Sequence, residues 1–161
     1  MALILALGSN IGDRELNLKN AISALNIVFG TPTSLSKIYS SEPFGEIKQE
    51  DFLNMCIEYP LPSFTAQESL KHCLTIEKDL GRERKLHWGP RIIDIDIIFY
   101  GNEQISEQNL TIPHPHINER SFVVLPLKDL PYYQQISKTF KFSQQFSTES
   151  FVYKTSLLLQ K

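Results

Sequence analysis

The chain has 161 residues, of which 42% are hydrophobic, 21% are charged and 11% are aromatic, and its formal net charge is -2. Such a chain is long enough to bury a core without disulfides or a structural metal, and its composition argues against extended disorder. The weak negative charge provides no basic field for nucleic acid or an anionic membrane. We therefore expect one domain, residues 1–161. The first residues have only a short apolar run and no basic segment before it, which favours a cytoplasmic protein.

The first third of the chain predicts a strand, a helix and a second strand. Residues 2–8 form a short apolar run ended by Gly-Ser-Asn, which is typical of a buried strand. Over 13–29, apolar residues recur at helical spacing, with acidic residues at the start and Gly30 after the end. Residues 34–39 indicate a second strand. The loop that follows over 40–51, SSEPFGEIKQED, is long enough to be a mobile or binding loop.

The middle of the chain predicts two further strands around a second helix. Residues 52–59 alternate in polarity, which indicates a half-buried strand. Residues 65–80 predict a helix, because Thr65 and Glu68 have the spacing of a capping box. The apolar stripe of this helix comprises Leu70, Cys73, Leu74 and Leu80. A fourth strand is predicted over 92–100.

The C-terminal part has weaker signals. Residues 110–116, LTIPHPH, are extended by their prolines, and Asn118 could cap a helix that runs toward Leu130 and is bent or broken at Pro126. We expect one or two short elements after that. The order strand, helix, strand, strand, helix, strand predicts an α+β fold with a ferredoxin-like βαββαβ core and additional C-terminal elements. In such a fold the helices cover one face of the sheet.

The sequence lacks CxxC spacing and the common glycine-rich nucleotide-binding motifs, which narrows the kinds of site that we expect. Cys56 and Cys73 lack the spacing of a CxxC site, so we expect reduced, half-buried thiols. The sequence also contains neither G-x-x-x-x-G-K-[ST] nor G-x-G-x-x-G. A bound nucleotide would therefore be held by arginines and metal rather than by a glycine-rich loop.

The fourth predicted strand carries two aspartates, Asp94 and Asp96, in a run that is otherwise isoleucine and aromatic. Side chains alternate along a strand, so both aspartates share one face. The opposite face carries Ile93, Ile95, Ile97 and Phe99. The same alternation in the third strand places Phe52 and Asn54 on the face of the aspartates.

The electrostatic repulsion between two carboxylates at positions i and i+2 of a strand has to be offset by nearby positive charge. They lie about 6.6 Å apart along a strand, and their repulsion is about 2.5 kcal/mol at an effective dielectric constant of about 20. A divalent cation with nearby arginines would offset this repulsion, and Mg²⁺ is usually held by one or two carboxylates. A solvated strand face, with the acids paired to Arg91 and Arg120, explains the pattern equally well. The D-x-D pattern by itself does not decide between them.

The whole segment HWGPRIIDIDII, residues 87–98, resembles the signature of the 6-hydroxymethyl-7,8-dihydropterin pyrophosphokinase family. The resemblance extends from LALGSNIGD near the N-terminus through SEPFG, DFLN, GRERK and LTIPHP to Arg120 and Phe122. It implies a ferredoxin-like fold, transfer of pyrophosphate from ATP to the hydroxymethyl group of the dihydropterin, and release of AMP. It also implies small-molecule substrates, no nucleic-acid or membrane partner, and, we expect, a monomer.

The resemblance implies roles at the phosphates of ATP. Asp94 and Asp96 would ligate two Mg²⁺ ions that bridge the triphosphate, and Arg82 and Arg91 would be catalytic arginines. Further contacts with ATP are implied for Glu77, Arg84, His87, Trp88, Ile97, Thr111, His114 and Arg120. The segment with Arg84, His87 and Trp88 resembles a loop that closes over both substrates.

The resemblance also implies how the pterin is held. Phe52 and Phe122 would sandwich the flat ring, and the amide of Asn54 would pair with its edge. Further contacts with the pterin are implied for Gly8, Ser41, Glu42, Phe44, Trp88 and Asp94. For either phenylalanine taken alone, a place in the core is the commoner role.

The chain departs from the family pattern at four positions. Phe52 stands where tyrosine is common, His87 where arginine is often found, and Asn109 and Pro115 replace residues that reach ATP in some members. These departures concern nucleotide affinity more than the type of reaction. Two other functions remain alternatives, a ferredoxin-like nucleic-acid-binding module and a two-metal phosphohydrolase.

Overall fold

The computed structural model describes residues 1–43, 48–81 and 90–143, together with the backbone of residues 154–155. The elements are β1 (Ala2–Ser9), α1 (Arg14–Phe29), β2 (Ser34–Leu35), β3 (Ile38–Ser41), β4 (Phe52–Pro60), α2 (Ala66–Asp79), β5 (Asp94–Tyr100), β6 (Ile105–Ser106), β7 (Thr111–Ile112), a 3₁₀ turn (Ile117–Glu119), α3 (Ser121–Leu127), α4 (Pro131–Ile136) and β8 (Lys154–Thr155). No helix within these ranges is long and apolar enough to cross a bilayer.

The main sheet has the strand order β5-β1-β4-β3-β8, and β2 pairs with β4 beside β3. The central strand β1 runs antiparallel to both of its neighbours, β4 and β5. The predicted ferredoxin-like α+β fold is confirmed. The predicted second strand is split into β2 and β3, because the Ser36 hydroxyl accepts the Cys56 N–H at 2.8 Å and so replaces a backbone acceptor in the ladder.

Both long helices begin where local capping predicts. The Asp13 side chain accepts the Leu16 N–H at 3.0 Å at the start of α1. Thr65 and Glu68 form both hydrogen bonds of a capping box at the start of α2. The predicted stripe of α2 is wrong at Leu74, which is exposed, because this residue follows Cys73 by one position and so points about 100° away from it.

One face of the sheet packs against α1 and α2. The core there is continuous and apolar, and its strand residues include Leu3, Leu5, Leu7, Met55, Ile57, Ile95 and Ile97. This is the helix layer that the element order predicts.

The opposite face has a core of its own, which the element order does not predict. Helices α3 and α4 pack there on the sheet residues Ala2, Ile4, Cys56, Ile98 and Phe99. Strand β4 is therefore buried on both faces over most of its length, and the prediction of a half-buried strand is wrong. Both cysteines are fully buried rather than half-buried, and this burial raises the pKa of both thiols, that of Cys73 to about 12.

A bulge in β5 changes which side chains share a face. The pairing with β1 shifts between Leu5, which faces Ile97, and Ile4, which faces Phe99. Phe99 therefore lies with Ile98 in the core under α3 and α4, while Tyr100 joins the α1 and α2 core. The predicted place of Phe99 beside Ile97 is wrong, because a bulge inserts one residue and inverts the alternation beyond it.

Among the C-terminal residues that the structure describes, α4 and β8 are short elements of the kind expected there. Asn118 does not cap a helix. It lies in the 3₁₀ turn, donates to the Lys141 carbonyl at 3.2 Å and accepts the Ser143 N–H at 3.0 Å. Helix α3 begins after Arg120 and includes Pro126 in its last turn, so the proline does not break it. The predicted extended stretch 110–116 is strand only in β7.

Candidate active site

A cavity of about 320 Å³ lies on the same face of the sheet as α3 and α4, beyond the end of the core that those helices cover. Its floor is formed by the C-terminal end of β1 and the N-terminal ends of β4 and β5. These ends meet because the three strands are antiparallel neighbours, so Gly8 pairs with both Asn54 and Asp94. Volumes of this size are typical of small-ligand sites.

Small residues in β1 keep the cavity open. Gly8 and Ala6 lie between the polar side chains of the two flanking strands, and Ala6 pairs with Asp96. A Cβ atom on Gly8 would lie 3.2 Å from Asn54 Oδ1 and 3.5 Å from the ring of Phe52. The glycine therefore gives the cavity its depth beside Asn54.

One side of the cavity is charged. Arg91 Nη1 lies 2.5 Å from Asp94 Oδ2, and Arg120 Nη1 lies 3.4 Å from Asp96 Oδ2. The side chains of Asp94 and Asp96 are 21% and 35% exposed. The predicted pairing of the acids with arginines therefore occurs, but inside a concave site rather than on an open strand face.

The charged side has the donor set that Mg²⁺ prefers. Within residues 1–43, 48–81 and 90–143, no group of three or more His, Cys, Asp and Glu side chains converges to form a cage. Asp94 and Asp96 both line the cavity, and Mg²⁺ uses one or two carboxylates and completes its shell with water and phosphate oxygens. The residues present therefore fit Mg²⁺.

The other side of the cavity is aromatic and hydrogen-bonding. Phe52 and Phe122 both line it, as does Asn54. The Asn54 amide is buried, and its Nδ2 donates to Ser41 Oγ at 2.7 Å, which orients the amide oxygen. Arg120 connects the two sides, because its guanidinium carbon lies 5.8 Å from the centre of the Phe122 ring.

His114 lies behind the charged side of the cavity, next to Asp96. Burial, followed by the positive charge of Arg120, lowers its pKa to about 4. The His116 N–H donates to His114 Nδ1 at 3.2 Å, so the neutral ring carries its proton on Nε2, which is 3.9 Å from Asp96 Oδ2. His114 therefore faces Asp96 as a neutral imidazole.

The structure brings ten of the predicted residues into the cavity lining, namely Gly8, Ser41, Glu42, Phe52, Asn54, Arg91, Asp94, Asp96, Arg120 and Phe122. Their contacts with substrates stay predictions. Five predicted residues lie outside the described ranges, namely Phe44, Arg82, Arg84, His87 and Trp88.

Besides His114, three other predicted residues do not line the cavity. Glu77 is buried on α2, and its Oε1 accepts the Ile95 N–H at 2.7 Å, next to the two aspartates. Ile97 lies in the α1 and α2 core, and Thr111 pairs with Ser106 in the small sheet. The contacts of all three with ATP stay predictions, while the observed position of Glu77 supports the strand that carries the acids.

The sequence interpretation missed two polar residues of the lining. His116 lies beside the cavity and pairs with Glu119 at 3.0 Å, and the alternating HPH pattern offered it as readily as His114. Gln49 lines the cavity from the segment before β4, and its Oε1 accepts from Asn10. No sequence signal singles out Gln49, because its place depends on a residue 39 positions away.

Comparison with known proteins identifies the relatives of the chain. A family model described as 7,8-dihydro-6-hydroxymethylpterin-pyrophosphokinase matches residues 4–132. The chain is 42% identical over 135 residues to the 2-amino-4-hydroxy-6-hydroxymethyldihydropteridine pyrophosphokinase of Bacillus subtilis, covering 83% of this chain and 79% of that protein. The enzyme of the same name from Aquifex aeolicus is 38% identical over 143 residues, covering 85% and 88%.

A bifunctional relative is considerably longer than this chain. The bifunctional protein FolKE of Lactococcus lactis subsp. cremoris is 43% identical over 141 residues. The match covers 82% of this chain but only 39% of FolKE. The likeness is therefore to one part of that protein.

Proposed function

Because the chain belongs to the 7,8-dihydro-6-hydroxymethylpterin-pyrophosphokinase family, whose ATP-dependent reaction is a step of folate biosynthesis, we propose that the cavity is where it transfers pyrophosphate to 6-hydroxymethyl-7,8-dihydropterin. The products are the pterin diphosphate and AMP. One observation carries the proposal. The acidic and arginine side chains face the same cavity as two aromatic rings and a buried amide.

The charged side of the cavity binds the triphosphate in this proposal. Asp94 and Asp96 hold two Mg²⁺ ions, which when bound neutralise phosphate charge and align the transferred group. Arg91 and Arg120 stand beside these carboxylates, where their guanidinium groups can bind phosphate oxygens in bidentate fashion. In phosphoryl transfer, positioning and charge stabilisation of this kind supply most of the catalysis.

The aromatic side of the cavity binds the pterin in this proposal. Phe52 and Phe122 stack on the faces of the planar ring, and the oriented amide of Asn54 pairs with its edge. The hydroxymethyl group of a pterin held there points toward the acids. Its oxygen attacks the β-phosphorus of ATP in line and loses its proton to water, the bond from the β-phosphorus to the α-phosphate oxygen breaks, and that oxygen leaves as part of AMP.

Product identity tests the proposal directly. Purified protein is incubated with ATP and Mg²⁺, with and without 6-hydroxymethyl-7,8-dihydropterin, and the nucleotides are separated by chromatography. We expect AMP and pterin diphosphate in equal amounts, formed only when the pterin is present. ADP as the nucleotide product, or ATP hydrolysis at the same rate without pterin, would instead indicate a phosphohydrolase.

We also propose that the protein acts as a monomer in the cytoplasm. The weak net charge and the cavity formed by the described residues of a single chain support this. Sedimentation at several concentrations tests the monomer, and fractionation of cells that express the tagged chain tests its location.

A further inference from the structure

Asn10 lies beside the active-site cavity, at the point where the strands on both sides of β1 begin. It follows the end of β1, and only 2% of it is exposed. Where the central strand of an antiparallel sheet ends, both of its neighbours begin. Asn10 therefore lies between the segment that leads into β4 and the segment that leads into β5.

The side chain of Asn10 binds both of these segments. Its Nδ2 donates to Gln49 Oε1 at 3.0 Å and to the Glu50 carbonyl at 3.2 Å. Its Oδ1 accepts the Arg91 N–H at 2.7 Å, and its own backbone N–H donates to the Arg91 carbonyl at 3.0 Å. A carboxamide supplies the required two donated protons and one acceptor together, which neither a carboxylate nor a hydroxyl can do.

Two of the three residues that Asn10 binds line the cavity, but Asn10 does not. Gln49 and Arg91 line the cavity, whereas Asn10 is not among its lining residues. The backbone of Arg91, held twice by Asn10, determines where the guanidinium lies beside Asp94. Asn10 can therefore affect the cavity through Arg91, although it is not itself one of the lining residues.

We propose that Asn10 is a positioning residue for pyrophosphate transfer. It holds Arg91 at the phosphate side and residues 49–50 at the rim in one fixed arrangement, so that both sides of the cavity are set together. The inference rests on the proposed function, because it assigns the effect of Asn10 to the reaction of that cavity. Misplacing a catalytic group by about 1 Å can slow an enzyme by roughly 100-fold.

Asn17 is a matched control for Asn10. Its Nδ2 also donates two hydrogen bonds in the same part of the fold, to Ser9 Oγ at 3.1 Å and to the Ile11 carbonyl at 2.8 Å. Neither acceptor belongs to the cavity lining. Asn17→Ala therefore removes a comparable pair of local hydrogen bonds without releasing Arg91 or Gln49.

The test is a double-mutant cycle between Asn10→Ala and Arg91→Ala, with kcat, KM for ATP and thermal midpoint measured for each protein. We expect Asn10→Ala to lower kcat by about 10- to 100-fold, with a smaller change in KM, while Asn17→Ala leaves kcat within about threefold of wild type. In the Arg91→Ala background, the further loss caused by Asn10→Ala should fall to about threefold or less, because the group that it positions is gone.

Three outcomes would overturn the role of Asn10. They are a normal kcat for folded Asn10→Ala, an equal loss in Asn17→Ala, or the same fold-loss with and without Arg91. If Asn10→Ala does not fold, Asn10→Leu carries the cycle, since it keeps about the same size but removes the acceptor for the Arg91 N–H and both donors to residues 49–50. An inactive wild-type protein would overturn the proposed function as well, whereas an active wild type beside an equally active variant overturns only the role of Asn10.

Discussion

The sheet face under α3 and α4 has two halves with opposite properties. In the covered half, Ile4, Cys56 and Phe99 are buried under the two helices. In the open half, on the same strands, the corresponding positions are Gly8, Asn54 and Asp94, which line the cavity together with Phe122 and Val123 from the start of α3. One continuous sheet therefore provides rigidity at one end and chemistry at the other, because strands anchored by a core hold their exposed polar ends in fixed positions.

Because of this difference, we predict that substitutions in the open half have large effects on kcat and small effects on the thermal midpoint. We expect Asp96→Asn to lower kcat by about 1,000-fold, which corresponds to about 4 kcal/mol of transition-state stabilisation, because the variant loses one of the two carboxylates that we propose as Mg²⁺ ligands. The thermal midpoint should stay near that of wild type, since the side chain is partly exposed.

The matched control for Asp96→Asn is Glu103→Gln, which removes an exposed carboxylate just beyond the opposite end of β5. It should have wild-type kcat. If Asp96 is a ligand of Mg²⁺, the residual activity of Asp96→Asn should also need a higher Mg²⁺ concentration for half-saturation. Unchanged turnover and an unchanged Mg²⁺ requirement would contradict the role of Asp96.

Substitutions in the covered half should instead have large effects on the free energy of unfolding and small effects on kcat. Phe99 is buried and packs against Tyr132, Phe140 and Phe142, so Phe99→Ala should lower the free energy of unfolding by about 3 kcal/mol. Urea denaturation measures this loss. The fraction that remains folded should have a kcat close to wild type. A stability loss below about 1 kcal/mol would show that this core does not anchor the sheet.

The boundary between the halves can be tested at Gly8. Gly8→Ala introduces a methyl group 3.2 Å from Asn54 Oδ1, on the side of the cavity where we propose that the pterin binds. We expect KM for the pterin to rise by about 10-fold, with KM for ATP and the unfolding free energy nearly unchanged, since one methyl group in a pocket shifts affinity by this order. An equal rise in both KM values would contradict the separation of the two sides.

The smallest effect is expected on the opposite face, at the start of α2. Thr65→Ala removes the capping acceptor for the Glu68 N–H and should cost about 1 kcal/mol of stability without changing kcat. The measurement is urea denaturation at neutral pH.

The same cap has a predicted pH dependence. Hydrogen bonds from the backbone and side chain of Thr65 lower the pKa of Glu68. A carboxyl group with a lowered pKa in the folded state stabilises the fold above its unfolded pKa and loses that contribution as the pH falls through its folded pKa. Thr65→Ala removes the side-chain hydrogen bond to Glu68 but keeps the backbone one, so the part of its destabilisation that comes from the side-chain bond should be largest at neutral pH and shrink in acid. A penalty independent of pH would contradict the contribution of Glu68.

Local signals predicted the parts of the fold that depend on neighbouring residues. The ends of α1 and α2 follow from the Asp13 cap and the Thr65 capping box, whose hydrogen bonds span only three residues. The alternation of β4 and the first half of β5 likewise predicted that Asn54, Asp94 and Asp96 share a face. These predictions hold because helix and strand periodicity are properties of the local backbone.

Long-range contacts explain what the sequence interpretation missed. Ser36 interrupts the second strand through a hydrogen bond to Cys56, and the bulge at Ile98 and Phe99 depends on pairing with β1. Asn118 had the residue type of a helix cap, but its side chain binds the backbone of Lys141 and Ser143 instead. Each of these partners lies at least 20 positions away, where no periodic pattern reports it.

The sequence by itself determined the family, through the long motif around Asp94 and Asp96, and the order of the core elements, through periodicity and local capping signals along the chain. Only the tertiary structure decided that a second helix layer divides one sheet face into a core and a cavity. It also decided that Asn10 joins the segments of Gln49 and Arg91. The physical reason is that burial and hydrogen bonding between distant segments depend on the packed chain, whereas residue type and spacing are properties of the sequence.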